Sequence, residues 1–194
     1  MLRKKMKRPL WIVLMFLLLG CAGPGKQIPI NLSYPEGTAP AAQSPSQKVV
    51  VYPFEDLRKD PSAIGRRKHL FGEVDTFQSN TPVGERVAQI WVAALQRRGW
   101  NARLARSGED PGEVDRVIRG KVEVLWAEAT SRVGYTEINA QAVLLAETLE
   151  TKPGTTLTLK IREQNIPKVF FFSSERLEEI LSELISEGID RNLS

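Results

Sequence analysis

The sequence predicts an α+β domain over residues 48–194: an antiparallel sheet of about four to five strands with two amphipathic helices packed on one face. Three observations carry this. Period-two alternation with one polar face recurs in 117–126, 135–149 and 155–163. Apolar residues recur at helical spacing in two other segments, after Thr81 and after Ser174. A Lys-Pro-Gly turn signal at 152–154 joins the last two alternating runs.

Taken in order, Lys48–Phe54 (KVVVYPF) is a short, nearly all-apolar run, as in a strand central in a sheet or covered on both faces. Residues 56–80 show no clean period and read as a long connection, with at most a short strand or irregular turn. The first helix follows, with Thr81 as N-cap and Pro82 at its first position. Val83, Val87, Ile90, Trp91, Ala94 and Leu95 form its stripe, and Gly99 ends it. Residues 100–105 suit a short strand and 106–113 a turn.

In the first alternating run Ile118, Gly120, Val122, Val124 and Trp126 share a face, opposite Arg119, Lys121 and Glu123. In the second the apolar face is Ile138, Ala140, Ala142, Leu144 and Ala146; in the third it is Leu157, Leu159 and Ile161. Val143, Leu145 and Leu149 fall on an otherwise polar face, either capped by the tether ahead of the domain or open to a partner. The last helix starts near Ser173 or Ser174. Its stripe is Leu177, Ile180, Leu181, Leu184, Ile185 and Ile189, and its early glutamates suit the helix dipole.

Ahead of this domain the chain has a different composition. Arg3, Lys4, Lys5, Lys7 and Arg8 precede an apolar run over residues 10–19, which ends in Gly20-Cys21. Ten apolar residues are about half of what a bilayer-spanning helix needs, and the layout is that of a secretory signal peptide over 1–20. The formal charge of +4 comes from this segment. With its five basic residues set aside, 22 Lys and Arg face 23 Asp and Glu, which removes the global electrostatic case for nucleic acid. Residues 21–47 hold five prolines and three glycines after Cys21 and read as a tether. Within it, Ile28, Ile30, Leu32 and Tyr34 alternate; this piece either docks on a sheet edge or lies free.

Leu18-Leu19-Gly20-Cys21 resembles the lipobox of bacterial lipoproteins. That resemblance implies cleavage between Gly20 and Cys21, a diacylglycerol thioether on Cys21 and acylation of the new amino group. Cys21 is the only cysteine, so its lipidation leaves the mature chain with no thiol and no disulfide. Ala22 in place of an aspartate leans toward the outer membrane, with the domain facing the periplasm.

No HExxH, GxSxG, glycine-rich phosphate loop or Cys/His cluster occurs, so no catalytic residue, metal site, cofactor or small-molecule substrate is assigned. His69, the single histidine, is expected in a solvated loop, and Glu109, Asp110, Glu113 and Asp115 in a solvated turn. The basic run Arg66, Arg67 and Lys68 is a candidate contact for anionic headgroups, diluted by Glu55, Asp56 and Asp60. Phe170, Phe171 and Phe172 in a row cannot all face one core, because consecutive strand residues point to opposite sides. They are a candidate partner patch, unless the preceding linker covers them.

The segments "INLSY", "VVVYPFEDLRKDPSAIG" with its Asp56-x-Arg58 and Ile64-Gly65, "LQRRGW", "VIRGKVEVLWAEA" and "FFFSSERLEEIL" together resemble the YajG-like family of bacterial envelope lipoproteins over most of 28–193. The resemblance implies envelope location and no assigned enzymatic activity. The function expected from the sequence is that of a lipid-anchored, non-enzymatic accessory or protein-interaction module with an envelope protein partner. An accessory lipoprotein of an ABC-type lipid transport system is the alternative, and an enzyme subunit acting on wall or lipid is the third reading.

Overall fold

The computed structural model describes residues 25–35 and 47–193. The predicted signal peptide over 1–20, with Gly20 at its end, and Cys21 after it lie outside the described residues.

The spine is one long antiparallel hairpin, β7 (Arg116–Arg132) and β8 (Tyr135–Glu150), closed by a turn with Gly134 at φ +84°. A left-handed backbone there suits glycine alone. Along the free edge of β7 three short strands run parallel to it in succession: β2 (Lys48–Val51), β3 (Glu55–Asp56) and β4 (Gly65–Lys68). β6 (Asn101–Leu104) extends the sheet beyond β2. β5 (Val74–Ser79) pairs antiparallel with β4, and β1 (Gln27–Ile30) pairs parallel with β5. Along the free edge of β8 lie β9 (Thr156–Asn165) and β10 (Lys168–Val169).

The expected sheet of four to five antiparallel strands with two helices on one face is therefore replaced, among the described residues, by a ten-stranded mixed sheet with two helices. The physical reason is the length of β7. Its 17 residues serve as template for three consecutive parallel strands that are too short to show a period of their own.

Residues 56–80 are accordingly not one long connection. They hold β4 and β5, whose inward positions are Gly65, Asp75 and Phe77, so no apolar alternation marks them. Gly65 is required where β4 crosses β7: a Cβ there would stand 2.2 Å from the Ala127 carbonyl oxygen. A register shift between Val122 and Val124 makes Glu123 an extra residue in β7. The bulge reverses the phase of the strand, so Leu125, Ala127 and Ala129 face the core, while Val124 and Trp126 take the other face.

The helices are α1 (Val83–Arg97) and α2 (Ser174–Asn192). Pro82, not Thr81, is the N-cap of α1, and the Thr81 hydroxyl instead accepts from the Arg86 guanidinium (2.9 Å). Gly99 follows the helix at φ +80°. α2 begins as the sequence indicates, with the Ser173 hydroxyl accepting from the Arg176 N–H (3.1 Å).

Both helices share one core with the sheet, centred on Trp91, Phe77, Leu125, Leu144, Leu181 and Ile185. Val49 and Val51 enter that core, whereas Val50 and Tyr52 join Ala105 and Val117 in a smaller cluster. β2 is thus apolar from Val49 on because it is covered on both faces. The alternating segment before it also resolves: β1 docks on β5, with Ile30 and Leu32 fully buried. Beyond β1, Tyr34 Oη donates to Asp190 Oδ2 (2.8 Å).

Candidate functional site

Arg66, Arg67, Lys68, His69 and the Phe170–Phe172 run gather at one end of the sheet. The register defines a row across it. Lys68 of β4 lies opposite Val74 of β5 on one side and Thr130 of β7 on the other. Thr130 lies opposite Glu137 of β8, and Glu137 opposite Lys168 of β10. Gly25 closes the row beyond β5, packed against the backbone of Val74.

Three connections project past this row. The β4–β5 turn carries Leu70 and Phe71, the β7–β8 turn carries Val133, and the segment leaving β10 carries Phe170 and Phe171. Phe71, Val133, Phe170 and Phe171 are 93%, 84%, 83% and 91% exposed, and Leu70 is half exposed. Large apolar side chains gathered at such exposure are a recognised sign of an interaction surface. The Leu70-Phe71 pair and Val133 sit in separate short polar turns, and only the register brings them together.

Phe172 parts company with its two neighbours. Its ring stacks on buried Phe77 (centroids 5.9 Å apart, 28° between planes). The Arg67 guanidinium lies over it, 4.2 Å from the centroid. Arg67 Nε also donates to Ser131 Oγ (3.2 Å). The candidate triplet is therefore two exposed rings and one ring fixed beneath a cation.

The basic run is not a free cationic patch. Arg66 Nη2 (2.7 Å) and Lys68 Nζ (2.6 Å) both bind Glu128 of β7. Those two hydrogen bonds, Lys68 first, hold the Glu128 carboxyl below its ordinary range. Next to them His69 Nε2 meets Asp75 Oδ2 (2.7 Å), and the Lys26 backbone N–H donates to Asp75 Oδ1 (2.9 Å). Burial pushes the Asp75 carboxyl up, but the hydrogen bonds from His69 and Lys26 and the nearby charges outweigh it, and the net shift is downward. His69 is thus a strand-end partner of a buried carboxylate rather than a free loop residue.

Arg58 also has a structural post. It is buried, donates to Asp56 through Nε and Nη2 (2.8 Å each), and reaches the carbonyls of Ala63 (2.6 Å) and Pro61 (3.0 Å). Asp56-x-Arg58 is the clamp that folds the β3–β4 connection. The acidic residues Glu109, Asp110, Glu113 and Asp115 lie in the β6–β7 connection, at the opposite end of the sheet from the exposed rings. A cleft of about 790 Å³ opens between β3, β6 and the start of α1, lined by Phe54, Asp56, Ser79, Thr81, Leu104 and Arg106 among others. Among the described residues no group of three or more His, Cys, Asp and Glu is placed to hold a metal ion. No helix among them is long and apolar enough to cross a membrane.

No family model matches the chain, and no curated protein sequence does. Solved structures are similar in fold. A Xanthomonas campestris protein of the DUF330 family matches with a TM-score of 0.55 at 12% identity, covering 87% of this chain and 93% of its own. A putative neuraminyllactose-binding hemagglutinin homolog from Helicobacter pylori matches with a TM-score of 0.41 at 9% identity (83% and 92% covered). A lipoprotein from Neisseria meningitidis matches with a TM-score of 0.34 at 12% identity (74% and 97% covered). The first of these establishes a shared architecture.

Proposed function

We propose that this chain is a lipid-anchored cell-envelope protein, held through acylated Cys21 at the outer membrane and facing the periplasm, where it serves as a non-enzymatic accessory or protein-interaction module. The observation that carries the reading is Leu18-Leu19-Gly20-Cys21 behind a short basic and apolar leader, followed within a few residues by the first strand at Gln27. Three acyl chains make attachment effectively permanent, because one chain alone binds a bilayer only marginally. Placement in the YajG-like family rests on the sequence segments alone. The likeness to the DUF330 protein supports the architecture and assigns no activity.

Two experiments test this. Labelled palmitate should enter the wild-type chain and not Cys21→Ala, which should accumulate as unprocessed precursor; equal labelling of the variant refutes the anchor. Crosslinking in intact cells, followed by pull-down and mass spectrometry, should return a defined envelope partner in stoichiometric yield. Recovery of bulk lipoproteins alone refutes the module reading, and recovery of an ABC transporter replaces it with a role in lipid transport.

A further inference from the structure

We infer that the end of the sheet bearing Leu70, Phe71, Val133, Phe170 and Phe171 is a membrane-seating surface, resting in the headgroup and upper acyl layer of the bilayer that holds Cys21. The inference builds on the proposed acylation of Cys21.

Four observations point to a bilayer as the occupant. First, the apolar tips come from three separate connections, yet all pass the same row of the sheet. Six strands side by side make that end about 24 Å wide. The tips are spread along it rather than gathered around a groove, which suits a planar partner.

Second, the chain enters the fold at this end. Thr76 N–H donates to the Lys26 carbonyl (2.8 Å), Lys26 is tied to Asp75, and Gly25 lies against Val74. Four peptide steps separate Gly25 from Cys21. Fully extended they span about 14 Å. An acylated Cys21 therefore keeps this end within that distance of the bilayer surface, while the long segment 36–46 lies beyond β1 and adds nothing to the reach.

Third, the two ends of the sheet differ in chemistry. Among the described residues the opposite end carries the 105–115 connection, with Glu109, Asp110, Glu113 and Asp115, and the 151–155 turn, with Lys152, Pro153 and Gly154. Among the described residues it holds no large exposed apolar side chain past its last strand pairs, within which Leu149 and Leu157 are about half exposed.

Fourth, the charge at the apolar end suits anionic headgroups. Lys26, Arg66, Arg67, Lys68, Arg132 and Lys168 stand at or near the row, against Glu73, Asp75, Glu128 and Glu137. Arg66 and Lys68 share the one carboxylate of Glu128, and with six cations to four anions the row keeps a net positive charge. Lys168 Nζ sits over the Tyr135 ring, 5.3 Å from its centroid, placing an aromatic and a cation together at headgroup level.

The test uses the mature full-length protein extracted from membranes and reconstituted in phosphatidylcholine vesicles with and without phosphatidylglycerol. An environment-sensitive fluorophore is attached at Phe71→Cys, Val133→Cys or Phe170→Cys, with Lys152→Cys as the far-end control. Acylation of Cys21 leaves each new thiol as the only one. The expected result is blue-shifted emission that lipid-borne nitroxides quench at 71, 133 and 170, with neither effect at 152, and a larger shift with phosphatidylglycerol present. Water-exposed emission at all four positions in a sample whose intact mass shows acyl chains overturns the inference and leaves the anchor standing. A mass without acyl chains overturns both. Labels that stay in water on vesicles but become buried in intact cells assign this end to a protein partner and also overturn it.

Discussion

Gly25 packs against the backbone of Val74 so closely that a Cβ on Gly25 would stand 1.5 Å from the Val74 carbonyl oxygen. This contact fixes where the chain joins the sheet, one step before Lys26 is tied to Asp75. Gly25→Ala should force β1 away from β5, costing about 1–3 kcal/mol by overpacking. Hydrogen exchange checks it: the amides of β1 should lose protection while those of β7 and β8 keep theirs. Unchanged protection of β1 would show that the approach is not rigid.

Phe170, Phe171 and Phe172 are adjacent in sequence and different in role. Phe172→Ala removes a ring stacked on Phe77 and covered by Arg67, and should cost about 2 kcal/mol. Phe170→Ser and Phe171→Ser should change stability by no more than about 0.5 kcal/mol. Urea midpoints of the three variants separate a ring kept for folding from rings kept for contact. A loss at 170 or 171 equal to that at 172 would show that all three serve the core.

Arg58 holds the β3–β4 connection by spanning Asp56 and the carbonyls of Ala63 and Pro61. Truncation to alanine leaves a partly buried carboxylate and two carbonyls without their donor. Arg58→Ala should therefore cost about 3 kcal/mol. Arg58→Lys should recover only part of that, because an ammonium cannot reproduce the fork. Thermal melts of the pair decide; full rescue by lysine would mean that charge alone matters.

Acid should destabilise the fold. The Asp75 carboxyl is raised by burial, but its hydrogen bonds to His69 and Lys26 and neighbouring charges bring it below its ordinary range. Asp56 follows the same balance, with Arg58 as the opposing partner. Glu128 is lowered by its bonds to Lys68 and Arg66. Groups whose folded value is depressed bind more protons when unfolded, so their contribution is complete above the ordinary carboxylate range and lost as pH falls through and below it. Stability measured from pH 7 to pH 3 should fall across that window, and Glu128→Gln should flatten the fall. A profile unchanged by Glu128→Gln would remove Glu128 from this account.

The parts of the fold legible in the sequence are those where one face is dry and the other wet over many residues. β8 is the clearest case, with Ile138, Ala140, Ala142, Leu144 and Ala146 all buried as their alternation indicates. The stripe of α1 and the Ser173 cap of α2 are equally direct. What escaped was structure whose polar groups are satisfied across strands. Arg66 and Lys68 look like loop residues until Glu128 of β7 is placed beside them, and Asp75 occupies an inward position that periodicity reserves for an apolar side chain. The bulge at Glu123 hid the true phase of β7, and with it the outward course of Trp126. The apolar end was half legible: the Phe run is conspicuous, while Leu70, Phe71 and Val133 acquire meaning only from register.

The claim on which the rest depends is chemical and concerns one atom, Cys21 Sγ. Intact mass spectrometry of the chain extracted from membranes tests it most directly. The expected species is a polypeptide beginning at residue 21 and carrying a diacylglycerol thioether and an amide-linked acyl chain, missing from Cys21→Ala. A mature chain with a free thiol at Cys21, or one cleaved elsewhere, would contradict it.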